Sequence, residues 1–336
     1  MPPVARLDII ANNTLKEAIT SLSLVDVTGD GRNEIVVSTI QGDARVLHLE
    51  ADGSVSEIAR FGDLAPIATT GVGDVTGDGV PDLVVGGLDH SLKVIALHKE
   101  ELAIRCECPL GTIPTALCVA NVMGDEKAEV IVATDDNALR CFGWYNVTLD
   151  KLAHKVVERP VFSIQPFRSK GIPYSRFVFG DDSEYVFIYQ YADDRLHELS
   201  KMRARGAVDL VATGSVTGGR LDEIVAISNR NITLFGYGSS GLEFYDNLRA
   251  PEQVSSVKIG SVMREGISPG QVIVSQTNTL LSVLSLDGRR LIEEGSVRSR
   301  SKAAESLIDY GDIDGDGQPE IVQAAANDLF IVSVED

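Results

Sequence analysis

Short apolar runs, each cut off by glycine, aspartate or asparagine, recur along the whole chain. One set occupies 67–75, 82–87, 91–98 and 102–108, and the next occupies 115–122, 129–134, 138–144 and 152–158. Runs this short, rich in Val, Ile and Leu and bounded by turn residues, predict strands. The three-to-four residue spacing of an amphipathic helix is hard to find. The pattern therefore predicts an all-β protein in which strands come in fours.

The grouping has a repeat behind it. Asp26-Val27-Thr28-Gly29-Asp30-Gly31 leads into Glu34-Ile35-Val36-Val37, and Asp74-Val75-Thr76-Gly77-Asp78-Gly79 leads into Asp82-Leu83-Val84-Val85. A third clear copy is Asp312-Ile313-Asp314-Gly315-Asp316-Gly317, followed by Glu320-Ile321-Val322. Worn copies begin at Asn121, with Asp125 and Glu129, and at Ser215, with Gly219 and Glu223. Neighbouring copies lie about 47 residues apart, a length that suits one four-stranded propeller blade. The double gap between Asn121 and Ser215 predicts a hidden copy near Arg168. Another begins near Ser261, with a small insertion before Gln271. Seven copies predict a seven-bladed β-propeller forming a single domain over 1–336.

The ends fit that count. The last copy supplies runs at 305–313, 320–325 and 328–334 and lacks a fourth. An orphan run at 5–10 precedes the first copy. Pairing this run with the last blade closes the ring and removes an open sheet edge.

Composition narrows the function. A net charge of −19 repels phosphate backbones and anionic lipid, so neither nucleic-acid binding nor membrane association is expected. No apolar run is long enough for a membrane helix, so no membrane insertion is expected. No basic and apolar leader is readable at Met1–Arg6, and a cytoplasmic protein is expected. The four cysteines, Cys106, Cys108, Cys118 and Cys141, form no Cys-x-x-Cys pair and read as buried free thiols.

The recurring loop has ligand chemistry. Asp312, Asp314, Asp316 and Glu320 place carboxylates at positions 1, 3, 5 and 9, and the Gln318 carbonyl falls at position 7. Hard Ca2+ takes six to eight such oxygens. Position 12 is Gln323 and a strand follows, so this is not an EF-hand. In the first two copies the set is Asp26, Thr28, Asp30, Glu34 and Asp74, Thr76, Asp78, Asp82, where a hydroxyl replaces the second carboxylate. Elsewhere the same residues read as turn formers, since Asp and Asn cap local backbone and Gly accepts positive φ.

This loop, followed by Glu-Ile-Val-Val and repeated around a ring, resembles the FG-GAP/VCBS repeat propellers. That family includes integrin α-subunit heads, secreted bacterial repeat proteins, and intracellular scaffolds such as the Bardet–Biedl complex propellers. The resemblance implies that the loop joins two strands of a blade and holds Ca2+ when fully acidic. It also implies a protein-binding role. The family's Phe-Gly and Gly-Ala-Pro signatures are largely worn away here.

No catalytic set stands out. His48, His90, His98, His154 and His197 form no HxxxH or HExxH pair, and neither a nucleophile elbow nor a P-loop is present. Tyr185, Tyr189 and Tyr191 share a strand face, with blade-to-blade packing the expectation. The fourth copy replaces the acidic loop with Phe167-Arg168-Ser169-Lys170-Gly171-Ile172-Pro173, a basic spot on an acidic ring. The expected function is a non-enzymatic protein-interaction scaffold with structural calcium and unidentified protein partners. Two alternatives are a secreted Ca2+-dependent adhesin or lectin, for which sequons at Asn12, Asn146 and Asn231 are permissive, and a propeller enzyme such as a polysaccharide lyase.

Overall fold

The computed structural model describes residues 5–98, 101–238, 241–264 and 268–335. They form seven four-stranded antiparallel sheets arranged as a ring, with no helix. In blade 1 the chain runs from the inner strand Ile19–Val25 through Glu34–Thr39 and Ala44–Leu49 to the outer strand Val55–Phe61. Blades 2 to 6 repeat this order outward from the axis. The hidden fourth copy is a full blade, from Val161–Phe167 to Arg195–Arg203. The predicted insertion in blade 6 falls partly on 265–267, which lie outside the described residues.

Burial explains the unbroken apolar runs. Glu34–Thr39, Asp82–Gly87, Glu129–Thr134 and Glu223–Ser228 are buried at every position. A second strand of this kind has a blade packed on both faces, so period-two alternation disappears. Outer strands meet solvent and are mostly exposed, as in Thr148–Val156, where only Leu149 and Ala153 are buried. Seven apolar clusters fill the seven seams between blades. One joins Val84, Val94 and Leu92 of blade 2 to Val130, Val132 and Phe142 of blade 3. Two of the three stripe tyrosines belong to the seam between blades 3 and 4: Tyr189 is buried in its cluster and Tyr191 packs against it, while Tyr185 lies outside it. All four cysteines are free, and Cys106, Cys118 and Cys141 are buried.

The ring closes through the N-terminus. Arg6–Thr14 pairs antiparallel with Asp328–Glu335, from Arg6 opposite Glu335 to Thr14 opposite Asp328. The strand is longer than the predicted 5–10 because a bulge between Ile9 and Ala11 shifts the pleat and breaks the readable alternation. A bulge stands at the same place between the third and outer strands of the other six blades, for example at Val46/Leu47 and Cys141/Phe142. The outer strand of blade 3 also departs from its predicted 152–158. It starts at Thr148 because Asn146 (φ 47°) and Val147 (φ 67°) make a two-residue turn where Asn-Gly would have signalled one.

Leu7 is 6% exposed and packs with Ile273, Val283, Val332 and Val334 across the seam between blades 6 and 7. Leu7→Ala is expected to cost about 2–4 kcal/mol, measured as a shift in the urea midpoint at unchanged slope. Removing residues 1–14 should bare the edge of Asp328–Glu335 and drive self-association, visible by size-exclusion chromatography with light scattering.

Candidate functional site

In each blade the loop between the inner and second strands lies on the same face of the disc. Its backbone frame recurs. An aliphatic residue at position 2 is buried beneath the loop: Val27, Val75, Val122, Val216, Val262 and Ile313 are all at most 6% exposed. In every blade but the sixth, where Arg264 stands, a glycine at position 4 takes positive φ, from 74° at Gly218 to 85° at Gly124. The fourth blade keeps this glycine as Gly171, at 84°.

The first residue of the second strand holds the loop from below. Glu34 Oε2 accepts the Val27 and Thr28 amides at 2.9 and 3.2 Å. Asp82 accepts Val75 and Thr76 at 3.0 and 2.9 Å. Glu129 and Glu223 make the same pair of bonds in blades 3 and 5. In blade 6 the work falls to Gln271, whose Oε1 accepts Val262 and Met263 while its Nε2 donates to Ser268 O. Sequence reasoning passed over Gln271 because it looked for carboxylates. The cue was present in Gln271-Val272-Ile273-Val274, which keeps the strand signature and changes only the charge.

These clasps sit in a poor dielectric. Burial pushes the Asp82 carboxyl up to about 6 and the Glu129 carboxyl up to about 7, against the pull of the loop amides. Burial likewise raises Glu34.

Positions 1 and 5 serve the turn. Asp26 accepts the Gly29 and Gly31 amides at 2.6 and 2.9 Å, and Asp30 accepts Arg32 N at 2.9 Å. Asp74 binds the Gly77, Asp78 and Gly79 amides, and Asp78 binds Val80 N. Thr28 Oγ1 donates to Glu34 Oε1 at 3.1 Å.

Blade 7 differs. Asp312 still caps Gly315 and Gly317, and Asp316 caps Gln318. Glu320, however, keeps only one clasp bond, to Ile313 N at 3.2 Å. Its carboxylate converges with those of Asp312 and Asp314, one oxygen of each lying within 4.8 Å of the others. This is the one such acidic group among the described residues. Asp316 is not part of it. Gln318 turns toward blade 6, accepting from Arg264 Nε at 2.7 Å and donating to Val262 O at 3.0 Å. Burial first, then Asp314, Asp316 and Asp312, raise the Glu320 carboxyl to about 7. Three hard oxygen donors converging under mutual repulsion fit a divalent cation. Asp314 and Glu320 line a groove of 540 Å3 that Asp316 and Arg264 also border.

Blade 4 inverts the pattern. Arg168 stands at position 1, Lys170 at position 3, and Arg176 at the clasp position, the first residue of Arg176–Asp181. Arg176 Nε is buried with no hydrogen-bond partner. The loop is tied to its neighbour by main chain: Arg168 N donates to Asp222 Oδ2, Asp222 N to Arg168 O, and Lys170 N to Arg220 O. Arg168 and Lys170 border a 490 Å3 cavity between blades 4, 5 and 6, with Thr213, Ser215, Asp222 and, from blade 7, Tyr310. Arg168 also borders the adjoining central channel, where Lys258 and Asp309 pair at 3.2 Å and Asp309 accepts Leu24 N.

The loop frame has relatives. Residues 26–85 match the family described as FG-GAP-like repeat. No curated protein matches the sequence. Among solved structures, BBS1N in complex with ARL6DN superposes with a TM-score of 0.69 at 12% identity, covering 98% of this chain and 95% of that one. The WD40 β-propeller domain of Doa1 superposes with a TM-score of 0.68 at 12% identity, covering 97% of each chain. Both likenesses are of fold.

The raised Glu129 pKa has a definite sign. Below the ordinary value of 4.5 the carboxyl is neutral whether folded or unfolded. As pH climbs from there through about 7, the unfolded chain ionises first, and stability is lost. Glu129→Gln, built on the Gln271 precedent, should therefore raise stability by about 1–2 kcal/mol at pH 8 and leave it unchanged near pH 4. Urea titrations at the two pH values check this.

Proposed function

We propose that this chain is a non-enzymatic protein-interaction scaffold whose docking surface is the face carrying the seven first-to-second-strand loops. The observation that carries the reading is the division of charge on that face. Blades 7, 1, 2 and 3 present Asp312, Asp314, Asp316, Asp26, Asp30, Asp74, Asp78, Asp125 and Glu126, countered by Arg32 and Lys127. Among the described residues, blades 4, 5 and 6 present Arg168, Lys170, Arg220 and Arg264, countered by Asp222. A rigid disc with an acidic arc and a basic arc orients an approaching protein and rejects one of the wrong charge pattern. The fold likeness to BBS1N, solved with ARL6DN bound, supports a propeller used as a docking platform.

Within this reading the 312–320 loop holds Ca2+ through Asp312, Asp314 and Glu320. The ion would be structural, relieving the repulsion that raises Glu320. Affinity purification from the native cell with mass spectrometry of co-eluting proteins tests the scaffold role. Stable partners are expected; their absence together with turnover of a sugar polymer would reverse the reading. For the ion, calorimetry should show Ca2+ binding that Asp314→Asn weakens by about tenfold or more, with Asp26→Asn as the comparison. Equal titrations of wild type and Asp314→Asn would remove the ion from blade 7.

A further inference from the structure

Blade 4 keeps the loop frame and reverses its chemistry. Gly171 at φ 84° holds the turn as Gly29 and Gly315 do. Positions that carry Asp26, Asp74 and Asp312 in other blades carry Arg168 here, and the position of Asp314 carries Lys170. The backbone is fixed by blade 5 through Ser169, Lys170 and Asp222, so both side chains are displayed from a rigid support.

Neither cation is spent on an ion pair among the described residues. Lys170 Nζ donates to Gly218 O at 3.2 Å, a neutral acceptor. The guanidinium of Arg168 makes no hydrogen bond among the described residues; the Arg168 contacts to Asp222 go through its main chain. Cations elsewhere on the ring are commonly paired, as Arg45 is with Asp43 and Glu17, Lys93 with Asp89, and Arg140 with Asp136. Ser215 and Thr213 of blade 5 also line the cavity they border. Two exposed cations border one 490 Å3 space at the mouth of the central channel. Asp222 also borders it, but its carboxylate accepts the Arg168 amide.

We infer that this cavity is the docking site for a carboxylate-rich segment of a partner protein, with Arg168 and Lys170 as its anchors. The inference deepens the scaffold reading and rests on it. Charge range decides the class of ligand. A long polyanion such as a nucleic acid would extend over the acidic arc and be repelled. A short acidic segment stays within reach of the two cations, and at physiological salt the remaining negative charge is screened beyond about 8 Å. A partner carrying a basic surface beside that segment would satisfy both arcs at once.

Hexaglutamate is the probe, titrated into the full chain at low ionic strength and followed by calorimetry. Binding is expected, weakening as salt rises. The double variant Arg168→Ala/Lys170→Ala should lose about tenfold in affinity, while Arg159→Ala, on the opposite face, should lose none. Both substituted side chains are exposed, and an unchanged urea midpoint verifies the fold. Three results overturn the inference: no binding at low salt, equal binding by the double variant, or displacement by equimolar glutamate or phosphate, which would make it a small-anion site. Tighter binding of a single-stranded oligonucleotide of equal charge would also overturn it. Should hexaglutamate fail while proteins still co-purify with the chain, the docking chemistry falls and the scaffold reading stands.

Discussion

Each blade of this ring is a sheet with two greasy faces, and neither can be left to water. The second and third strands are buried on both sides, so every blade needs a neighbour in front and behind. Burying one such Val, Ile or Leu is worth about 1.5–3 kcal/mol. An open arc of blades would expose two whole faces, so only a closed ring satisfies all of them. Closure falls to Arg6–Thr14, which adds the fourth strand to blade 7 and buries Leu7 against blade 6. At the axis, Asp309 of blade 7 takes Lys258 of blade 6 and the Leu24 amide of blade 1, which ties the same seams from within.

A second constraint acts at the loops. Returning the chain from the inner strand to the second strand leaves two amides buried at positions 2 and 3, and an unpaired buried amide is costly. In blades 1, 2, 3, 5 and 6 the clasp residue satisfies both. A carboxylate does so at the cost of its own desolvation, which is why Asp82 is raised to about 6 and Glu129 to about 7. Gln271 does it without charge and gives its amide to Ser268. The acidic residue that opens the second strand is thus a part of the fold in most blades. Only in blade 7 does it swing into a carboxylate cluster.

The fold was legible because its signals are local and repeated. Asp82–Gly87, Ser91–His98, Glu129–Thr134 and Glu320–Ala325 have the bounds that the apolar runs suggest. Signals failed where geometry is carried by residues without a distinctive type. The bulge at Ile9/Ala11 hid the second half of the closing strand, and the Asn146-Val147 turn hid the start of an outer strand. The loops were legible as turns but not as sites. Spacing alone makes Asp312, Asp314, Asp316 and Glu320 equivalent ligands, whereas the structure gathers three of them and leaves Asp316 capping Gln318. Arg168 and Lys170 of blade 4 share a cavity with Ser215 of blade 5 and Tyr310 of blade 7, a juxtaposition across repeats that no single loop announces.

The division of labour within the loop explains how one ring can carry opposite charges side by side. Position 2 anchors the loop in the core, position 4 turns it, and the clasp closes it from below. None of these reaches a ligand in most blades. Positions 1, 3 and 5 carry little structural duty beyond capping a turn amide or, for Thr28 and Thr217, donating to the clasp carboxylate, and they vary accordingly: Asp26, Thr28 and Asp30 in blade 1; Arg168, Lys170 and Ile172 in blade 4; Ser215, Thr217 and Gly219 in blade 5; Asp312, Asp314 and Asp316 in blade 7. Because the frame holds these triplets in register around a common axis, changing one alters the charge of one sector without disturbing the next. The acidic arc and the basic mouth of the channel follow from that independence.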